Sequence, residues 1–241
     1  MFERDGSSCV STPSLLRKST PSKRAFLNTK GIIILVNQLV DKLEEGIGQL
    51  GLKSSPEDIA RLLQFQSLLL KWNKVYNLTA IQSPEDMVGL HLLDSLSVLP
   101  YIDGVQILDV GTGAGLPGIP LALMCPNKSF SLLDSSSKKT RFVQQVALEL
   151  DLRNVRVIHS RAEQYATDQP YDIVIARAFA SLARIQELTC HLLGDTGKLL
   201  ALKGRYSEQE LDQMPPGSVD VIPLKIPGVN GERHLYCVAR K

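Results

Sequence analysis

Ile107-Leu108-Asp109-Val110-Gly111-Thr112-Gly113-Ala114-Gly115-Leu116-Pro117-Gly118-Ile119-Pro120 reads as a buried strand that passes through a glycine-rich loop into a helix. Ile107, Leu108 and Val110 form the short apolar run expected of a strand covered on both faces of a parallel sheet. Glycines at 111, 113, 115 and 118 carry no Cβ, so they tolerate left-handed backbone and let a ligand approach the main chain. The stretch is a ligand cradle at the carboxyl end of a strand.

Downstream of Gly104, strand-like and helix-like patterns alternate, which predicts a largely parallel sheet with crossover helices on both faces. Strands are expected near 106–110, 129–133, 155–158, 171–176, 197–203, 219–224 and 234–239, and helices near 118–124, 138–150 and 181–193. Upstream, Leu35, Val36, Leu39, Val40, Leu43, Ile47 and Leu50 recur at helical spacing until Gly51. Ser55-Pro56-Glu57-Asp58 opens a second helix to about Trp72, and Ser83-Pro84-Glu85-Asp86 opens a third through Leu99. In both, Ser is the N-cap, Pro is tolerated in the first turn and the acids suit the helix dipole. Residues 31–103 thus read as a helical N-terminal cap, Pro100 to Gly104 as the joint, and 104–241 as the sheet domain. Residues 1–30, mixing Ser, Thr, Pro and basic residues without hydrophobic period, read as a disordered tail.

Net charge is +2 over 241 residues, but residues 1–30 hold six basic and two acidic side chains, leaving 21 against 23 in the remainder. A nucleic-acid partner must therefore meet a local basic cluster rather than a generally basic surface. The longest apolar run, Ile32 to Val36, is far too short to span a membrane. Cys9, Cys125, Cys190 and Cys237 lack Cys-x-x-Cys spacing, and His91, His159, His191 and His234 lack helical metal-site spacing. They imply no metal, and mostly buried, reduced thiols of a cytoplasmic protein. With no coiled-coil seam and one core to accommodate the apolar residues, the expectation is a monomer.

Gly113, Gly115 and Gly118 satisfy G-x-G-x-x-G, and Asp134 follows 21 residues after Gly113, so a nicotinamide-binding unit is a competing reading. Two residues weigh against it. Asp109 at the strand's end would repel a pyrophosphate, and Pro117 offers no amide hydrogen where phosphate-binding helices use free donors. No Gly-Lys-Ser/Thr follows the glycines, so a P-loop is absent. A ligand with an ammonium, a sulfonium and a ribose but no phosphate suits the loop better: Asp109 and the backbone of Gly111, Thr112, Gly113 and Gly115 for its amino-acid part, Asp134 for two adjacent hydroxyls. That ligand is S-adenosyl-L-methionine.

Alongside this loop stand Trp72-Asn73-Lys74-Val75-Tyr76-Asn77-Leu78-Thr79, His91-Leu92-Leu93-Asp94-Ser95, Leu133-Asp134-Ser135, Arg177-Ala178-Phe179-Ala180-Ser181-Leu182, Leu202-Lys203-Gly204 and Gly231-Glu232-Arg233-His234. With these motifs the chain, from about residue 35 to 241, resembles the class I S-adenosylmethionine-dependent methyltransferases, and more closely the bacterial small-subunit rRNA guanine-N7 methyltransferases of the glucose-inhibited division protein B family. The resemblance implies a Rossmann-like, seven-stranded, mostly parallel sheet with its last strand antiparallel, preceded by a helical cap. It implies methylation of one guanine in helix 18, in the decoding region of 16S rRNA, with free rRNA or the small ribosomal subunit as partner. It also implies that Gly111 and Leu116 touch the cofactor, that Ala162 and Glu163 lie beside the adenine, and that Arg177 is on the cofactor side.

Guanine N7 has an in-plane lone pair and no proton, so its methylation needs alignment rather than a general base. The segment after the fourth strand, Ala176-Arg177-Ala178-Phe179, lacks the Asn/Asp-Pro-Pro-aromatic pattern of exocyclic-amine methyltransferases. Cys125 and Cys190 fall in apparent crossover helices, so a cysteine nucleophile is not expected. Arg177 is the candidate brace of the site, and Lys203 with Arg205 the candidate RNA-phosphate contacts. Lys138, Lys139, Arg141, Arg153, Arg156 and Arg161 form a second basic set, which a solvated face explains equally well; Trp72 and Tyr76 could stack a base or pack helices. His91, Asp94 and Ser95 share one helical turn and lack a nucleophile elbow, so they read as locking the cap against the glycine loop rather than as a triad. The competing readings are an NAD-dependent oxidoreductase and an inactive RNA-binding protein of the same fold.

Overall fold

The computed structural model describes residues 29–240. The tail expected over 1–30 therefore lies outside the described residues except for its last two positions, which already belong to helix α1 (Thr29–Gln49). Helix α2 (Pro56–Tyr76) opens with a reciprocal capping box: Ser55 Oγ accepts from the Asp58 amide at 3.1 Å, and the Asp58 carboxylate accepts from the Ser55 amide at 2.8 Å. It runs a turn beyond Trp72 and stops at Asn77, which takes left-handed backbone (φ 51°) and donates its N–H to the Asn73 carbonyl.

Ser83 caps α3 (Pro84–Met87), but the helix predicted to continue through Leu99 is interrupted. A π-helical turn, Val88–Leu93, joins α3 to α4 (Asp94–Leu96), and a 3-10 turn, Leu99–Tyr101, follows. A π turn holds an extra residue and re-aims the side chains beyond it. Hydrophobic spacing does not reveal it, because Val88, Leu92, Leu93 and Leu96 are buried all the same.

The strands are β1 (Gln106–Val110), β2 (Ser129–Asp134), β3 (Val155–His159), β4 (Tyr171–Arg177), β5 (Leu193–Lys203), β6 (Val219–Pro223) and β7 (His234–Ala239). They form one sheet in the order β3-β2-β1-β4-β5-β7-β6, parallel from β3 through β5, with β7 running antiparallel to both its neighbours. Between them lie α5 (Gly118–Met124), α6 (Ser137–Glu149), α7 (Leu182–Thr189) and the short α8 (Glu208–Leu211). The helix expected over 181–193 ends at Thr189; a 3-10 turn follows and β5 begins at Leu193, earlier than predicted. Strand order reverses at β1 and β4, and the crevice outside the carboxyl ends there is where open α/β sheets bind ligands.

Alternation along the strands splits the core in two. Ile107, Phe130, Leu132, Ile173, Ile175 and Leu200 belong to one cluster, which also takes in Leu43, Leu62, Phe65, Leu69, Leu92 and Leu96 of the N-terminal helices. Leu108, Val110, Leu133, Val174 and Leu199 pack on the other face with Leu182, Ile185 and Leu188 of α7. The N-terminal helices thus share a core with the sheet, and the joint before Gly104 is no break in the packing. Among the described residues, no helix is long and apolar enough to cross a membrane, and no group of His, Cys, Asp or Glu could hold a metal ion. Where mostly buried thiols were expected, Cys125 and Cys237 are half-buried and Cys190 is exposed on the turn after α7.

Candidate active site

At the switch point the chain leaves β1 and winds through Gly111, Gly113 and Gly115 with φ of 70°, 59° and 78°. Glycine is needed at Gly111 twice over, since a Cβ there would also come within 2.5 Å of the Phe179 ring. The loop's amides are largely spoken for. Gly111 and Thr112 donate to the Leu133 carbonyl (2.8 and 3.1 Å), Gly113 to Asp134 Oδ2 (3.0 Å), and Gly115 to the Thr112 carbonyl (2.9 Å). These bonds tie the Gly111, Thr112 and Gly113 amides to β2 and the Gly115 amide to the loop itself, so what the expected backbone contact offers a ligand is the bare surface of the loop rather than its N–H groups.

Asp109 corrects a second expectation. Its carboxylate does not face the cavity; it is fully buried on the α5 side of β1, where Oδ2 accepts from Thr112 Oγ1 (2.6 Å) and the Gly118 amide (2.9 Å). Oδ1 has no hydrogen-bond partner. Burial pushes the carboxyl up to about 6, against the pull of those two donors. Asp109 and the inward-turned Thr112 side chain therefore tie the loop to the start of α5, and their charge and hydroxyl are withheld from any ligand.

Two adjoining cavities open on the loop. The larger, about 590 Å³, is lined by Gly111, Thr112, Gly113, Leu116, Arg177 and Lys203, together with His91, Asp94 and Arg233. The second, about 430 Å³, holds Asp134, Ala162 and Glu163 together, and shares Gly111, Lys139 and Ala178 with the first. Asp134 accepts from the Gly113 and Ser136 amides (3.0 and 2.8 Å). A carboxylate has about four acceptor positions, so two remain for a pair of hydroxyls.

Arg177, at the end of β4, donates to Asp94 Oδ2 at 3.0 Å and to the Leu90 carbonyl at 3.3 Å. Arg233, just before β7, donates from Nε to the other oxygen, Asp94 Oδ1, at 3.1 Å. One buried carboxylate thus holds two guanidiniums, and Asp94 locks the N-terminal helices to the ends of β4 and β7 rather than to the glycine loop. Sequence reading missed Arg233; the signal was its place in Gly231-Glu232-Arg233-His234. Lys203 is not a free phosphate contact either. Its ammonium donates to the Ala180 carbonyl at 2.5 Å and pairs with Glu210 at 2.9 Å, which fixes the segment after β4; Arg205 beside it is exposed.

His91 accepts at Nε2 from the Thr79 hydroxyl (2.8 Å) while Nδ1 donates to the Leu90 carbonyl (3.0 Å), an assignment consistent with Thr79 Oγ1 accepting from the Ile81 amide. Asn73 braces the same segment through the Thr79 N–H and C=O. Burial, with help from Arg177, holds the imidazole at about 4, against the pull of the Leu90 carbonyl and Asp94. A depressed imidazole contributes stability that is present above pH 6.5 and is lost as pH falls toward 4; raised Asp109 contributes stability that is full below pH 3.8 and is lost as pH rises through about 6. The two oppose each other, so His91→Gln is needed to separate them. Between pH 7 and pH 5 the unsubstituted protein should lose about 2 kcal/mol relative to the variant in paired urea titrations. Parallel stability curves would show that the imidazole is not held neutral.

Trp72 stacks on Tyr76 (centroids 5.2 Å apart) and tilts against buried Phe142 (5.6 Å), so it packs α2 on α6. The second basic set divides. Lys139 lines both cavities and lies 3.7 Å from Asp134, and Arg161 lies at the second cavity, whereas Arg153 and Arg156 lie at the opposite end of the strands.

The profile of the rRNA small subunit methyltransferase G family matches residues 58–236. The chain is 48% identical to ribosomal RNA small subunit methyltransferase G of Marinomonas sp. over 203 residues, covering 83% of this chain and 98% of that protein. It is 50% identical to the protein of the same name from Methylococcus capsulatus over 194 residues, covering 80% and 95%. Among solved structures, cofactor-bound Rv0187 from MTB matches with a TM-score of 0.56 at 15% identity over 74% of this chain and 90% of that one. Magnesium protoporphyrin IX methyltransferase from Synechocystis with bound SAM matches with a TM-score of 0.53 at 16% identity over 73% and 97%. At such identities the structural likeness speaks to the fold alone.

Proposed function

Since the chain belongs to the rRNA small subunit methyltransferase G family, we propose that it transfers a methyl group from S-adenosylmethionine to N7 of a guanine in 16S rRNA. The observation that carries the choice of N7 is the state of the 590 Å³ cavity: His91, Asp94 and Lys203 all line it, and each is already hydrogen-bonded or ion-paired within the protein. A site without a spare base suits an acceptor atom with no proton to lose.

The residues fit the cofactor in shape and donor chemistry. Asp134 would take the ribose hydroxyls, Ala162 and Glu163 would flank the adenine, and the smooth backbone of Gly111 to Gly115 with Leu116 would lie along the rest. When bound, S-adenosylmethionine supplies a methyl group already activated on a sulfonium. Arg177 and Arg233 share the charge of Asp94, so the cavity wall keeps net positive character, which suits the cofactor's carboxylate or the acceptors on the guanine edge. What the chain contributes is alignment, worth roughly 7–11 kcal/mol when two reactants are held in reacting geometry.

Arg177→Ala should lower methyl transfer to 16S rRNA about 100-fold, the scale of an ångström-sized misplacement, and Arg177→Lys should recover only part of it, because an ammonium can replace the one nitrogen, Nη1, that donates to both Asp94 and the Leu90 carbonyl but not the rest of the planar guanidinium. Unchanged rates in both variants would remove Arg177 from the site. Mapping N7-methylguanine in 16S rRNA from a deletion strain, before and after complementation, tests the acceptor. Binding of NADH but not S-adenosylhomocysteine to purified protein would overturn the reading in favour of an oxidoreductase.

A further inference from the structure

The second face of the sheet is covered unevenly. Toward the carboxyl ends of the strands it is apolar and lies under α7; toward the amino ends the same alternation puts Gln106, Ser131 and Arg156 on that face. The link from β3 to β4, where a doubly wound sheet would carry a crossover helix, holds only the short 3-10 turn Ala162–Gln164. A cavity of about 290 Å³ is left at the edge of the sheet, lined among others by Gln106, Ser131, Arg153, Arg156, Gln169 and Tyr171. Among the described residues, no acidic one lines it.

The donor set is that of an anion site: two guanidiniums, side-chain amides and hydroxyls, with buried Tyr171 at its base bonded to the Tyr165 hydroxyl at 3.0 Å. Arg153 is paired with Asp151 at 3.3 Å, but those side chains are 88% and 76% exposed, and so open a pair is worth little against a phosphate. β3 is an edge strand, and it connects this cavity to the catalytic mouth: Arg153 precedes it, Arg156 lies within it, and Arg161 after its end lines the cavity of Asp134 and Glu163. Five residues of strand cover about 16 Å, on the order of five nucleotides of stacked backbone.

We propose that this edge is a phosphate track for the substrate RNA, in which Arg153 and Arg156 hold phosphodiesters remote from the methylated base and Arg161 leads the backbone to the catalytic cavity. The proposal rests on the rRNA methyltransferase reading. It adds a contact region that positions RNA without touching the reacting atoms.

The test is binding of a 16S rRNA fragment across a salt series with Arg153→Ala/Arg156→Ala. The slope of log affinity against log salt should shrink by about 1.4 to 1.8, from roughly 0.7–0.9 for each of the two phosphate contacts, and affinity at 0.15 M salt should fall about tenfold. S-adenosylhomocysteine affinity and melting temperature should stay unchanged, and Arg153→Lys/Arg156→Lys should keep most of the slope. An unchanged slope in the alanine variant, with normal binding by the unsubstituted protein, would overturn the track. Greater self-association of that variant in sedimentation would then assign the charges to protection of an exposed strand edge. Failure of the unsubstituted protein to bind or methylate the RNA at all would overturn the underlying function as well.

Discussion

Asp94→Ala should lower stability by about 3 kcal/mol and the melting temperature by roughly 6–12 °C, the loss expected when one member of a buried ionic cluster is removed from a domain of this size. The argument is one of uncompensated charge. The Asp94 side chain is 7% exposed and accepts from Arg177 and Arg233, themselves only 21% and 29% exposed, so its removal leaves two guanidiniums facing each other across a partly dry cavity. Methyl transfer should fall with it, since both arginines line that cavity. Adding Arg233→Ala to Asp94→Ala should recover part of the stability, because one uncompensated cation is then gone, and a double-mutant cycle reads that coupling directly. A loss below about 1 kcal/mol would mean that solvent screens the cluster as it does a surface pair.

Gly118→Ala should be the most damaging single methyl in the glycine-rich stretch after β1. A Cβ there would lie 2.1 Å from Leu132 Cδ2 and 2.7 Å from Asp109 Oδ2, where the Gly118 amide already donates to Asp109. Overpacking of this kind costs about 1–3 kcal/mol or more. Here it also pushes on the carboxylate that ties the loop to α5, so S-adenosylhomocysteine affinity should drop at least tenfold in calorimetry. Gly48→Ala is the control. Gly48 is exposed within α1, and a Cβ there would meet nothing within 4 Å, so helix propensity alone should raise stability by about 0.5–1 kcal/mol. Equal melting temperatures for the two variants would refute the packing argument.

What the chain states locally was readable from the sequence alone. The seven strands lie within a few residues of their expected positions, Ser55 and Ser83 cap helices as their spacing predicts, and the glycine loop stands at the switch point. Alternation, caps and left-handed glycines each involve neighbours in the chain, so their physics is written in short windows. The π turn at Val88–Leu93 escaped because it leaves the apolar pattern intact. The charges were decided by tertiary structure. Asp94 meets Arg177 across 83 residues and Arg233 across 139, and no spacing rule links them. Asp109 was read as a ligand contact because it sits at a strand's end, yet the face of β1 on which it lies packs against α5, so its carboxylate turns inward. Sequence determined which groups stand at the ends of β1, β2 and β4; only the packing of helices on each face decided which of those groups a ligand can touch.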